Sequence, residues 1–536
     1  MRNIKTAAFL LLCAALLLPL CFSAQAKNGV DAVGEGNFVR VGLAVPENDS
    51  TMRVASVSCE AGFRFGESAG NTFIERFTLA ETGLAIFPDR NYNLESTNGK
   101  LTGRASDDGN YGCYHLSVSG KFTSYSAAKS AASRYDDGFV AYNGSRFEVR
   151  RGFYRTAEEA AKHGTAVSPV EGGVVLADPA SGKILLEYVG TSPLSFCGKA
   201  GKDVLIGSGA ADPKPYPGYF EVNSVPNIRI INVLELELYV KCVMANEIGT
   251  NQTKETRRAF SVLVRTVPLK SKHGPHGYDV CASSCCQAYY GNYRRDAEND
   301  LIVDSTKGEY VAYEGEPIVC VYHKNNGGAS CSSVAAWGGN EIPYLVSVTL
   351  PEDGTAHDSG WQKVFSKEEF NEFIHSRSAF SALTGTVEEM TIESTDPYGS
   401  SYVTLLSVKD SEGNVVYTEN AMSIRGALGV KSGNFTLTYT LDAPLLCADG
   451  KVVEEQAQGY VDAQGEYHSF SSFAETFSLA GTKESCTANV LTIDGHGSGH
   501  GVGFCSDGSE QLASQGYSYR YILGFYYPGT EIAKLY

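Results

Sequence analysis

A repeat inside residues 111–164 restricts the fold of this chain more than any other feature. "HLSVSGKFTSYSAAKSAASRY" and "RFEVRRGFYRTAEEAAKHG" share one plan: a strand, a glycine, an aromatic residue, a Ser/Thr cap and an Ala-rich helix, with "GFVAYNG" as strand and turn between them. Alternating strands and capped helices each have one apolar face, and both faces are covered when the helices lie on a shared sheet. Two such units predict a small βαβ-βαβ layer, with helices on one sheet face and Tyr, Phe and Arg side chains on the other.

The remaining sequence predicts an α+β protein rich in strands. A chain of 536 residues is too long for one ordinary core, so two or three domains are expected. Residues 38–100 alternate apolar and polar in short runs ("FVRVGLAV", "MRVASVSC") broken by Gly, Asn and Asp. Short strands return from Val174 to Tyr239, with "SGAADPKPYPG" as a boundary or insertion, and residues 239–247 read as more buried strand. A helix is predicted over 255–267, strands from Lys307 to Val348, and a mixed stretch over 352–495 whose helix "SKEEFNEFIHSR" is capped by Ser366. The C-terminal "YRYILGFYYPGTEIAKLY" begins as a short helix and turns extended after Pro528.

The N-terminus "MRNIKTAAFLLLCAALLLPLCFSAQA" has basic Arg2 and Lys5, an apolar run from Ala7, and Ala24 and Ala26 framing a cleavage site before Lys27. It is read as a secretory signal, with an uncleaved membrane anchor as the rival. Leu20 stands before Cys21 where a lipoprotein would need a small residue. The expected organisation is a signal peptide at 1–26, a β-rich segment at 27–110, the repeat domain at 111–170 and a catalytic domain at 171–536. The mature protein is expected to be exported to the cell envelope or secreted. The 44 Lys and Arg against 61 Asp and Glu leave a formal charge of -17, which argues against nucleic acid or anionic membrane as a partner. Of 14 cysteines, two fall in the signal, and the even remainder permits disulfides in an exported chain.

Within "YVKCVMANEIGTNQTKETRRAFSVLVRT" one acidic side chain, Glu247, follows an apolar run, and a helix carrying Arg257, Arg258 and Arg265 comes next. Cleaving a glycosidic bond needs a proton on the leaving oxygen from a carboxyl in a partly apolar site, and Val243, Met244 and Ile248 can supply that setting. The block "GHGSGHGVGF" sets His496 and His500 among glycines, which let backbone approach a ligand closely. Tyr322, Asn325, Asn326 and Trp337 flank the "NNGG" turn with groups suited to sugar stacking and hydrogen bonding.

Six blocks, "YVKCVMANEIG", "ETRRAFSVLVRT", "YDVCASSCCQAYYG", "NNGGASCSSVAAWGG", "IRGALGVKSGNF" and "GHGSGHGVGF" with "GYSYRYILGFYYPGTEI", occur in the order seen in stage II sporulation protein D and its amidase-enhancer relatives. The resemblance covers about residues 215–536, with an added stretch before the Gly/His block. It implies a peptidoglycan lytic transglycosylase acting on glycan strands without stem peptides, with Glu247 as the catalytic acid. Such an enzyme needs no second carboxylate, because the C6 hydroxyl of N-acetylmuramic acid attacks its own anomeric carbon. An ordinary glycosidase uses two, and Asp279 would be the first suspect for the second. The resemblance implies substrate-binding roles for Arg258 and Arg265, to which the block residues Tyr322, Asn326, His496 and His500 are added. Arg257 fits a solvated helix face. Where the family motif ends in Met-Ser-Gln, this chain has Phe504, Cys505 and Ser506.

Some members of that family bind zinc through one His and two Cys, and the matching residues in "HGPHGYDVCASSCCQ" are His276, Cys281 and Cys286. One structural zinc is expected there, with a disulfide from Cys281 to Cys285 or Cys286 as the rival. The repeat at 111–164 resembles the SPOR domain, which implies binding to denuded glycan strands. The expected partners are therefore peptidoglycan glycan strands and a cell-wall amidase. The competing reading is a non-catalytic wall-binding enhancer of that amidase, acting in sporulation or cell-wall remodelling. A zinc hydrolase built on the His/Cys cluster is the third, and two thiolates favour a structural metal over a catalytic one.

Overall fold

The computed structural model describes residues 37–43, 53–207, 213–224, 227–270, 273–283, 285–351, 359–442, 457–461, 466–474 and 485–536, with 445–446, 452–453 and 477–478. The signal read at 1–26 lies outside the described residues. Among those described, no helix is long and apolar enough to cross a membrane. The chain forms two compact units. The first runs to Pro213 and adds Pro217–Glu235 and Pro268–Cys281; the second comprises Lys214–Tyr216, Leu236–Val267 and Ala282–Tyr536.

One sheet of the first unit orders its strands Phe38–Gly42, Arg229–Glu235, Tyr219–Asn223, Leu194–Gly198, Phe63–Ala69 and Thr72–Leu79, with Val280–Cys281 parallel to the first. Phe63 and Phe65 are two apart, so both point to one face. There they meet Phe77, Phe196 and Phe220 at ring separations of 5.0 to 6.2 Å.

The second sheet contains the repeat. Its strands lie in the order Ala166–Val167, Tyr114–Phe122, Phe147–Tyr154, Gly138–Tyr142. Helix α1 (Tyr125–Ala132) starts at Ser124, whose hydroxyl accepts from the Ala127 N–H, and α2 (Ala157–Ala161) starts at Thr156, which accepts from Glu159. The layer does not end at Gly138–Tyr142. Ile184–Tyr188 pairs parallel with that strand, and Val174–Ala177, Gly83–Pro88, Ala55–Ser58 and Val204–Gly207 follow. The expected boundaries at 110/111 and 170/171 therefore fall inside one sheet. The hairpin Tyr92–Thr97 and Lys100–Ala105 lies over the face opposite the helices, where Phe87, Tyr92, Leu101, Tyr111, Phe139 and Ile184 form one core. Phe139 and Arg150 of that face are buried as a result.

In the second unit α3 (Leu236–Glu247) and α4 (Lys254–Leu269) precede a small sheet in which Glu309–Tyr313 pairs with the C-terminal Glu531–Lys534. The stretch after "WGG" has its own core of Phe370, Ile374, Val408, Ile424, Leu491 and Ile493, among others. Its helix Lys367–His375 begins in a capping box of Ser366 and Glu369, as the sequence pattern requires.

Candidate functional site

Glu247 ends a helix, where the sequence pattern suggested a strand. The strand Arg229–Glu235 gives way at Leu236 to α3, in which Leu236, Tyr239, Val240, Cys242, Val243 and Met244 are all buried. A run that is apolar on every side fits a buried strand and a buried helix equally well, so periodicity does not separate them. The helix stops because Gly249 adopts a left-handed φ of 68°, and the N–H groups of Ile248 and Gly249 both donate to the Met244 carbonyl. That stop places the Glu247 carboxylate, half-buried, at the helix end. Its Oε1 accepts a 2.6 Å hydrogen bond from the Ala288 N–H.

Two side chains accompany it. Burial pushes the Tyr322 phenol well above its usual pKa, and the charge of Glu247 adds to the shift while the Gln287 amide opposes it. Tyr322 is therefore a hydrogen-bond donor at neutral pH and not a base. Gln287 accepts from the Tyr239 hydroxyl at 2.7 Å, and its buried Nε2 lies near the phenol without making a hydrogen bond of acceptable geometry. Neither Gln287 nor the Ala288 amide was singled out from sequence. The signal available was their position directly after the cysteine run in "CCQAYYG".

The Gly/His block holds Tyr322 in place. Tyr322–His323 pairs parallel with Phe504–Cys505, and the Phe260 ring of α4 meets the Tyr322 ring at 4.8 Å. The Val502 N–H donates to His500 Nδ1, so His500 carries its proton on Nε2 and donates to the Tyr322 carbonyl at 2.9 Å. His323 donates from Nδ1 to the Val502 carbonyl, and burial with the neighbouring His500 lowers its pKa well below the usual value. Both rings are thus held neutral in a backbone clamp. The alternate glycines 497, 499, 501 and 503 all have left-handed φ, between 67° and 113°, and a Cβ on Gly501 would stand 2.3 Å from the Tyr402 ring.

The other expected site residues are placed as follows. Asn326 is buried; its Oδ1 accepts from the Gly328 N–H, and its Nδ2 has no hydrogen-bond partner. His496 is exposed, and its backbone is tied to Asn434 and Ser432. Arg258 pairs with Glu255 at 2.8 Å and donates to Ser305. Arg265 is fully buried: Nε and Nη2 each donate to Glu237 at 2.8 Å, and Nη1 donates to the Glu309 carbonyl at 3.0 Å. Its recorded hydrogen bonds hold helices together, and none reaches Glu247. Arg257, read as a solvated position, is buried and paired with Glu298. Asp279 belongs to the first unit, where it accepts from the Arg40 N–H and burial lifts its carboxyl to about 6.

Within the segment 273–286 the ligand atoms of His273, Cys281, Cys285 and Cys286 lie within 4.8 Å of one another. The imidazole gathered with the thiols is His273. The ring of His276 stands 6.5 Å from that of His273, and its carbonyl accepts from Arg229. One imidazole and three thiols are the donor chemistry of a four-coordinate zinc, so the residues present fit such an ion.

Residues 225–313, which contain Glu247, both site helices and the cysteine cluster, match the family model described as Stage II sporulation protein. The chain is 26% identical to a protein of Bacillus subtilis named amidase enhancer over 314 residues, 55% of this chain and 40% of that protein. It is 23% identical to stage II sporulation protein D of Bacillus subtilis over 342 residues, 60% of this chain and 80% of that protein. An uncharacterized protein of Brachyspira hyodysenteriae is 24% identical over 306 residues, 56% and 68% of the two chains. The match thus spans less than half the length of the amidase enhancer.

Proposed function

We propose that the protein works in the cell wall outside the cytoplasmic membrane as a peptidoglycan lytic transglycosylase, cleaving glycan strands that lack stem peptides. The observation that carries this reading is the Glu247 carboxyl, anchored through Oε1 by the Ala288 N–H beside the protonated Tyr322 phenol. In the proposed reaction Glu247 protonates the glycosidic oxygen as the bond to the anomeric carbon breaks. The C6 hydroxyl of the same N-acetylmuramic acid closes on that carbon, and its proton returns to the Glu247 carboxylate. No water enters, and the product ends in 1,6-anhydro-N-acetylmuramic acid. The buried donors Tyr322, Gln287 Nε2 and Asn326 Nδ2 are suited to sugar hydroxyls, because a buried donor left without an acceptor is costly. Tyr322→Phe keeps the packing against Phe260 and removes one donor. It is expected to lower turnover about ten- to a hundredfold, the worth of one hydrogen bond to a charged or developing-charge group; unchanged initial rates on denuded strands would remove Tyr322 from the site.

The name of the amidase enhancer favours a second reading, in which the protein binds wall and stimulates an amidase without cutting glycan. That function does not need the acid of Glu247, so a Glu247→Gln protein that still stimulates an amidase and cuts nothing, like its parent, would establish it.

We also propose that His273, Cys281, Cys285 and Cys286 hold one structural zinc, which would tie the segment together when bound. Cys281→Ser is expected to lower stability more than it slows glycan cleavage, because the site supplies folding energy rather than a reacting group. Elemental analysis finding no metal in protein purified under reducing conditions would contradict this.

A further inference from the structure

Asp89, His115 and Glu187 lie in the first unit, far from one another in sequence and together in space. They are 6, 0 and 0% exposed, and one ligand atom of each lies within 4.8 Å of the other two. Asp89 follows the strand Gly83–Pro88, His115 lies in Tyr114–Phe122 and Glu187 in Ile184–Tyr188.

Each side chain has one polar atom fixed by the protein. Asp89 Oδ2 accepts from the Val170 N–H at 3.2 Å, His115 Nδ1 donates to the Gly152 carbonyl at 2.7 Å, and Glu187 Oε1 accepts from Arg150 at 2.8 Å. The other atom of each, Asp89 Oδ1, His115 Nε2 and Glu187 Oε2, is buried with no hydrogen-bond partner. An imidazole that donates from Nδ1 presents a lone pair at Nε2. Three acceptors therefore converge in an apolar shell, with the Phe139 and Phe153 rings 4.8 and 5.6 Å from the imidazole. The Tyr111 hydroxyl is buried close by and also makes no hydrogen bond.

We infer that Asp89 Oδ1, His115 Nε2 and Glu187 Oε2 form a binding site for one divalent first-row cation of the zinc or manganese class. The pattern of one atom held and one presented is how ligating side chains are oriented by their outer contacts, including an imidazole whose second nitrogen donates to a backbone carbonyl. Two carboxylates against the single cation of Arg150 leave a net negative charge that a divalent ion offsets. One nitrogen and two oxygens suit zinc or manganese better than calcium, which takes six to eight oxygens. Tyr111, Phe139 and Phe153 also line a cavity of about 310 Å³ beside the imidazole, with room for water as a further ligand. Such an ion would join three strands of one sheet and so act as a structural site. The rival arrangement is a proton shared by the Asp89 and Glu187 carboxyls.

The test is a cobalt(II) titration of the metal-stripped full-length protein, followed by absorption and by thermal melting. Thiolate ligands give sulfur-to-cobalt charge-transfer absorption, and this site has none. The expected result is one equivalent that binds without that band and raises the melting temperature, weakened more than about tenfold in Asp89→Asn and in His115→Gln. Asp89→Asn preserves size and the Val170 contact. Absence of a sulfur-free equivalent in the parent, or equal uptake by a folded Asp89→Asn or His115→Gln protein, overturns the site. Should neither variant fold, nitrogen coordination in the X-ray absorption spectrum of the sulfur-free cobalt equivalent supports it, and all-oxygen coordination overturns it.

Discussion

Glu247→Gln is expected to lower turnover on denuded glycan strands by about a hundred- to ten-thousandfold, the usual contribution of a general acid, while strand binding stays within about twofold of the parent. The substitution keeps the side chain's length and an oxygen able to accept from the Ala288 N–H. What it removes is the transferable proton, so the loss should appear in kcat and not in affinity. Folding is a separate question, answered by comparing melting curves of the two proteins. Because Glu247 stands at the exposed end of an otherwise buried helix, the change should move stability by less than about 1 kcal/mol. A Gln variant that cuts at the parent's rate would end the enzymatic reading at this residue and promote the enhancer.

Arg265→Ala is expected to cost about 3–5 kcal/mol of stability, the range for breaking a buried ion pair from one side. The guanidinium is fully buried, grips both Glu237 oxygens and donates to the Glu309 carbonyl. Its removal leaves Glu237, which the pair holds below the usual carboxylate range, partly buried against Tyr536 and the Gly308 N–H. Arg258→Ala removes a half-exposed pair with Glu255 and should cost less than about 1 kcal/mol. Urea unfolding of the two variants separates a packing role from a substrate role. If Arg265 contacts substrate instead, its Ala variant will keep its stability and lose affinity for strands.

This contrast marks what the sequence revealed and what it hid. Local chemistry was readable: Ser366 with Glu369 specified a capping box, the Ser/Thr residues of the repeat capped α1 and α2, and the glycines of "GHGSGHGVGF" marked backbone that only glycine tolerates easily. Glu247 and Tyr322 were picked out separately, and the structure makes them neighbours. Hidden were the properties set by distant partners. The apolar run before Glu247 carries no period that separates strand from helix. Arg265 looks like any helical arginine until Glu237 and Glu309 close on it. The choice of His273 over His276 depends on the turn Gly274–His276, which sends the two rings apart. The hairpin covering Phe139 and the grouping of Asp89, His115 and Glu187 arise from pairing between strands that no local pattern announces.

Mass spectrometry of the ends released from peptide-free glycan strands tests the central claim most directly. Ring closure by the C6 hydroxyl excludes water from the broken bond, so every new end is expected to be 1,6-anhydro-N-acetylmuramic acid, and none should form with Glu247→Gln. Products with reducing ends would contradict the account, because they require water as the nucleophile and a second group to activate it.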